Sequence, residues 1–199
     1  MAEASAVAGS AAVAEDSVAA AAALAAAARP DGGDVSLARI LRHLASSRRG
    51  VRRAFPPATL AAIEEAIRET ESGYEGEIVF AIEAALATVP LLRGQTAKER
   101  ALEVFSELRI WDTEHNNGVL IYVLMADRDV EILADRGIHV RAGKQAWSEI
   151  CREIETFFGR EEYLAGSLAG IRAVAQHLRK YFGLPSSRRN ELPDEPNVS

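Results

Sequence analysis

At 199 residues the chain holds one hydrophobic core of ordinary size, which roughly 100 to 150 residues fill, plus extensions at its ends. A formal net charge of −6 excludes a protein whose main task is binding nucleic acid, because that task needs a basic field to displace counterions from phosphates. The single cysteine, Cys151, excludes an internal disulfide and suits a reducing compartment, so a cytoplasmic protein is expected.

The first 34 residues carry the run "VAAAAALAAAA", Val18 to Ala28. Alanine is too weakly apolar, and the run too short, for a spanning helix. Glu3, Glu15 and Asp16 stand where a signal peptide would carry basic residues. Residues 1–34 are therefore read as a low-complexity extension. In residues 35–55, Leu37, Ile40, Leu41 and Leu44 share one face of a short helix with Ser36 placed to cap it, followed by a basic link bearing Arg48, Arg49, Arg52 and Arg53.

A domain is expected over residues 56–183. Pro56 and Pro57 open a helix with Leu60, Ile63 and Ile67 inward. "GEIVFAIEA", from Gly76, is an apolar run rich in β-formers and predicts a first strand. Thr96 and Glu99 form a capping box before a helix that turns Leu102, Phe105 and Leu108 inward. Val119 to Met125 has no polar atom except the Tyr122 hydroxyl, which predicts a strand buried on both faces. "ADRD" leads from it into "VEILA", a hairpin partner. Two helices follow. One places Trp147, Ile150, Cys151 and Ile154 inward and stops at Gly159; the other places Leu164, Leu168, Ile171, Val174 and Leu178 inward and stops at Gly183. Its Gly166 and Gly170 suit close packing on a sheet. Residues 184–199, rich in Pro, Ser and charge, read as a tail.

This order predicts an α/β domain in which a helix crosses between two parallel strands and a third strand runs antiparallel to the second. Polar residues then fall on two rims. Glu83, Asp127 and Asp129 lie at one end of the sheet; Glu77, the segment Asp112 to Asn117, and Asp135 lie at the other. At the first rim, "ADRDVE" resembles the Asp-x-Asp nucleophile motif of haloacid-dehalogenase-type phosphatases. The later acidic pair that would hold magnesium is missing, so a solvated hairpin turn is expected there. At the second, Asp112, Glu114, Asn116 and Asn117 offer hard oxygen donors of the kind calcium takes. Their spacing is not that of an EF-hand, because position twelve from Asp112 is Val123. The competing reading is a turn with positive φ at Asn117-Gly118. Neither His43 nor His177 falls in a ligand pattern, and no serine- or cysteine-hydrolase or P-loop motif is present.

Two longer segments carry a family resemblance. "NNGVLIYVLMADRDVEILADRGIH" and "FFGREEYLAGSLAGIRAV" resemble the TPM domain: an acid or amide pair before Gly-Val-Leu, a charged hairpin turn, a strand ending in a glycine step, then a helix with aromatic residues and Gly-x-Leu-Ala-Gly. The resemblance runs from about Pro56 to Phe182. It implies a three-layer α/β/α sandwich with a small mixed central sheet flanked by helices. It also implies binding of a divalent cation, calcium in some members, acid phosphatase activity in others, and work beside membrane-associated assemblies in several bacterial ones. Carried over by position, the pair becomes Asn116 and Asn117, and the glycine step becomes Gly137-Ile138. The chain departs from the pattern in having two amides at the pair and His139 where an acid is usual.

The expected metal ligands are Glu77, Asp112, Asn116, Asn117 and Asp135. The expected role is interaction or assembly, at a membrane surface if Arg48, Arg49, Arg52 and Arg53 meet anionic lipid or a membrane-associated protein. The alternative is metal-assisted hydrolysis of phosphomonoesters. Asp112 or His139 would then move a proton, with Arg136 and Arg141 anchoring phosphate.

Overall fold

The structure, a computed structural model, describes residues 36–183 and 194–198. The Ala-rich extension and residues 184–193 lie outside the described residues. Four strands form one sheet in the order β3-β2-β1-β4: β1 (Glu77–Glu83), β2 (Gly118–Leu124), β3 (Asp129–Ala134) and β4 (Asn197–Val198). β1 is parallel to β2 and to β4, and β2 is antiparallel to β3. The described helices are α1 (Leu37–Ala45), α2 (Arg48–Ala54), α3 (Pro57–Glu71), α4 (Thr88–Leu92), α5 (Ala97–Glu107), α6 (Arg136–Ala142), α7 (Lys144–Phe158) and α8 (Tyr163–Phe182).

Side chains alternate across the central strands and build two cores, as a sheet covered on both faces requires. Ile78, Phe80, Ile82, Val119, Ile121 and Val123 face α3, α7 and α8. Val79, Ala81, Leu120, Tyr122 and Leu124 face α4 and α5. The arrangement is a three-layer α/β/α sandwich. β2 is buried along its whole length, as its unbroken apolar run predicts. The capping box of α5 forms with both of its reciprocal hydrogen bonds.

Leu164, expected inward, is 39 % exposed, and the helices α4 and α6 add to the expected order; four further features of the fold differ from the sequence reading. The basic link is a helix, α2, whose Ser47 side chain accepts from the Gly50 amide. The end of the chain, read as a tail, returns to the sheet, where Asn197 and Val198 pair with Ala81 and Ile82 on the edge of β1 that β2 leaves open. Gly166 and Gly170 do allow a close approach, but to α7. A Cβ on Gly170 would stand 2.4 Å from Ile154 Cδ1, and one on Gly166 would stand 2.8 Å from Phe157 Cβ. The fourth is the turn before β2. Asn116, not Gly118, takes positive φ, at 51°. Gly118 is needed because a Cβ there would lie 2.2 Å from the Ile110 carbonyl oxygen.

That last contact is with backbone, which cannot swing aside. Gly118→Ala is expected to cost about 3 kcal/mol, more than Gly170→Ala, where the flexible tip of Ile154 can yield. Urea unfolding of the two variants checks the ranking.

Candidate metal centre

The rim of interest lies where the parallel strands begin. Glu77 opens β1 directly opposite Gly118, which opens β2. The Asp135 amide donates to the Gly118 carbonyl at 2.9 Å. Glu77, Gly118 and Asp135 therefore sit side by side across three strands. The loop before β2 is folded onto this edge by Thr113, whose hydroxyl accepts from the Asn117 amide at 3.1 Å. From the other side comes the first turn of α6. A Cβ on Gly137 would meet the Asn116 carbonyl oxygen at 2.5 Å and that of His115 at 2.7 Å, so the helix can approach these two carbonyls only because residue 137 is glycine.

Asp135 caps α6, its Oδ1 accepting from the Arg136 amide at 2.6 Å. The residue is 2 % exposed, and its Oδ2 has no hydrogen-bond partner among the described residues. A buried carboxylate oxygen of this kind is rare, because losing water without replacement costs free energy. Burial pushes the Asp135 carboxyl up to about 6, against the hydrogen bond from Arg136, which lowers it.

The expected ligands divide by environment. Glu77, Asn117 and Asp135 are buried at the strand ends, whereas Asp112 and Asn116 are exposed on the loop, as is neighbouring Glu114. Glu77 gathers two carboxylates that the sequence reading missed. Among the described residues, Glu71, Glu77 and Asp194 form the one group of three or more acidic, His or Cys side chains whose ligand atoms lie within 4.8 Å of one another. Asp112 and Asp135 belong to no such group. Glu71 could have been found, because it continues the Ile63, Ile67 spacing of the inward face of α3. Asp194, in the apparent tail, offered no such signal. Glu71 Oε1 accepts from the Ile78 amide at 3.1 Å. Burial, followed by repulsion from Glu77 and Asp194, pushes its carboxyl up to about 8. The three carboxylates therefore keep a proton among them at neutral pH.

The residues named for hydrolysis are less well gathered. Arg141 donates to the Tyr181 carbonyl at 2.6 Å and stacks over the Phe182 ring at 4.7 Å. That engages it with the end of α8 and leaves Arg136, which is exposed, as the remaining expected phosphate anchor. His139 is half-buried, and burial, together with the charges of Lys144 and Lys98, holds its imidazole below the ordinary range. It is neutral at pH 7. The Cys151 thiol is pushed far up by burial, with nearby Glu131 and Glu155 adding to the shift, so it is not a nucleophile at neutral pH.

The opposite rim is not the solvated turn that its composition suggests. Arg39 of α1 donates to both oxygens of Asp127, at 2.8 to 3.2 Å. His43 Nδ1 accepts from the Leu86 amide at 3.0 Å, so its proton resides on Nε2, which lies 3.0 Å from Asp127 Oδ1. Burial alone would raise the Asp127 carboxyl, but the hydrogen bonds from Arg39 and the closeness of the His43 imidazole hold it below the ordinary range. A carboxylate clamped in this way is a structural anion. Glu83 has a similar role: Arg100 grips both its oxygens, and the Tyr122 hydroxyl donates to it at 2.6 Å.

A three-layer sandwich with an acid-and-amide loop packed against a capped helix defines a class before it defines a protein. The TPM domain model matches residues 52–177, and the chain belongs to that family. The NMR structure of the BA42 protein from the psychrophilic bacterium Bizionia argentinensis is similar to it, with a TM-score of 0.63 and 29 % identity, over 71 % of this chain and 93 % of that one. No curated protein matches the chain. No described helix is long and apolar enough to cross a membrane. α1 lies before the matched residues, and Asp194 lies after them.

The donor types at this rim are those that a hard divalent cation takes. All are oxygens, at least one is a buried carboxylate atom without a partner, and carboxylate, amide and backbone carbonyl groups are the mixture that calcium accepts.

Proposed function

We propose that the protein is a TPM-domain module that binds a divalent cation of the calcium class at the rim of Glu77, Asn117 and Asp135, and that it acts in interaction or assembly beside a membrane. The observation that carries the cation reading is Asp135 Oδ2, buried without a partner beside a loop whose His115 and Asn116 carbonyls close on the first turn of α6. A cation there would draw in Asp135 and these carbonyls, with Asn117 and Glu77 completing an oxygen shell. Exposed Asp112 and Glu114 would add attraction more than direct ligation, and Asn116 would contribute its backbone carbonyl. Binding would fix the loop against α6 and so set the shape of this end of the molecule, which suits a docking role. Phosphomonoester hydrolysis at the same rim needs a convergent anion anchor, and no observation favours it with Arg141 engaged at Tyr181.

Calorimetric titration of calcium into the chelator-treated full chain tests the reading. Asp135→Asn is expected to weaken binding about tenfold or more, and Asp112→Asn only about twofold. Absence of binding in the parent protein would end the cation reading. Loss on Glu71→Gln and Asp194→Asn, with Asp135→Asn harmless, would move the ion to the Glu71 side of Glu77.

A further inference from the structure

α1 is docked the wrong way round for an amphipathic helix. Arg39 and His43 are buried against Asp127, while Leu37, Leu41 and Leu44 are 72 %, 56 % and 66 % exposed. Their spacing of four and three residues makes one continuous stripe on the side of the helix opposite Arg39 and His43. Of the apolar residues on that side, only Ile40 is half-buried, against the second core. Single exposed leucines are unremarkable in a soluble protein, but a stripe held outward by a buried ion cluster is a surface with a use.

The charge around the stripe indicates what that use is. Between Asp34 and Glu64 there is no acidic residue and there are six arginines, in a chain whose formal net charge is −6. Arg42, Arg48, Arg49, Arg52 and Arg53 are exposed. α2 follows α1 after only the extended residues Ser46 and Ser47, so the four arginines of α2 begin four residues after Leu44 in the chain. A protein partner would have to supply an apolar groove and acids together, whereas an anionic bilayer presents both as a matter of course.

We propose that α1 and α2 dock the protein on the surface of an anionic bilayer. Leu37, Leu41 and Leu44 enter the interface, and Arg48, Arg49, Arg52 and Arg53 meet lipid phosphates. The docking element lies largely outside the matched TPM residues, since α1 precedes them. The inference rests on the membrane-side part of the proposed function and is independent of the cation, so vesicle experiments run in EDTA separate the two.

Co-sedimentation of the full chain with vesicles of phosphatidylcholine, with or without phosphatidylglycerol, is the test, together with fluorescence of Leu44→Trp. The protein is expected to sediment with the anionic vesicles alone, and the fluorescence of Trp at position 44 to shift to the blue. Leu41→Glu and Leu44→Glu, both at exposed positions, should each weaken binding about tenfold or more. Each arginine replaced by glutamine should weaken it about fivefold at low salt. No sedimentation with anionic vesicles overturns the proposal. So does sedimentation insensitive to both leucine variants, which would be charge attraction alone. A concentration-dependent dimer in light scattering that Leu41→Glu abolishes would assign the stripe to a second copy. Emission from Trp at position 44, taken as the difference from the parent with its Trp111 and Trp147, that is already blue-shifted in a monomer and unmoved by vesicles would assign the stripe to the chain's own first 35 residues. Either of those results also overturns the proposal.

Discussion

Asp127→Ala is expected to release α1. The substitution would leave the Arg39 guanidinium, 6 % exposed, facing no carboxylate, and His43 Nε2 facing none either. Stranding a buried charge costs about 3 to 5 kcal/mol if the surroundings do not move. Here they can move. α1 has nine residues and buries little apolar surface, so swinging into water hydrates both side chains while leaving the sheet intact. The expected result is loss of hydrogen-exchange protection across residues 37–45, with the protection of β1 and β2 unchanged. Arg39→Ala should do the same, and the double variant should be no worse than either single one, because both remove a single coupled unit. Unchanged exchange in Asp127→Ala, with stability within about 0.5 kcal/mol of the parent, would show that the cluster does not hold the helix.

This cluster also marks where the sequence stops being readable. Local rules act within a few residues, and wherever they govern, sequence and structure agree. The Thr96–Glu99 capping box, the buried run of β2 and the four-residue link into β3 are all decided by neighbours. The inward face of α1 is decided by a residue 88 positions away. Hydrophobic periodicity correctly groups Leu37, Leu41 and Leu44 on one face but is silent on which face docks, and the normal assumption sends them inward. Bidentate pairing of Arg39 with Asp127 overrides that assumption. β4 was hidden for a related reason, since two residues carry no period and only the open edge of β1 gives them a partner.

The candidate site was legible in outline for a different reason. Acids and amides crowd at Asp112 to Asn117 and again at Asp135 because strand ends must reach the surface, and that crowding shows in the sequence. What did not show is burial. Asp135 and Asp112 look alike as letters, yet one caps a helix under cover and the other stands in water. Glu71 looked like an ordinary solvated acid at the end of α3, and only the fold places it beside Glu77 and Asp194.

The second large effect follows from that placement and concerns pH. Glu71 has an ordinary value of 4.5, raised to about 8 in the folded protein by burial and then by repulsion from Glu77 and Asp194. Between those limits the native state holds a proton that the unfolded chain has released. Stability therefore falls as pH rises. The contribution is complete below pH 4.5 and spent above about pH 8. Asp135, raised from 3.8 to about 6, acts in the same direction but completes its change lower, leaving the interval from pH 6 to 8 mostly to Glu71. One bound proton gives a slope of at most about 1.4 kcal/mol per pH unit, so the parent should lose about 2 kcal/mol over that interval. Glu71→Gln keeps a neutral side chain whose carbonyl can still accept from the Ile78 amide. The variant should therefore show a nearly flat profile from pH 6 to 8 and exceed the parent in stability at pH 8. Denaturant unfolding at pH 6, 7 and 8 for the two proteins decides the matter, and equal slopes would mean that Glu71 does not hold the proton.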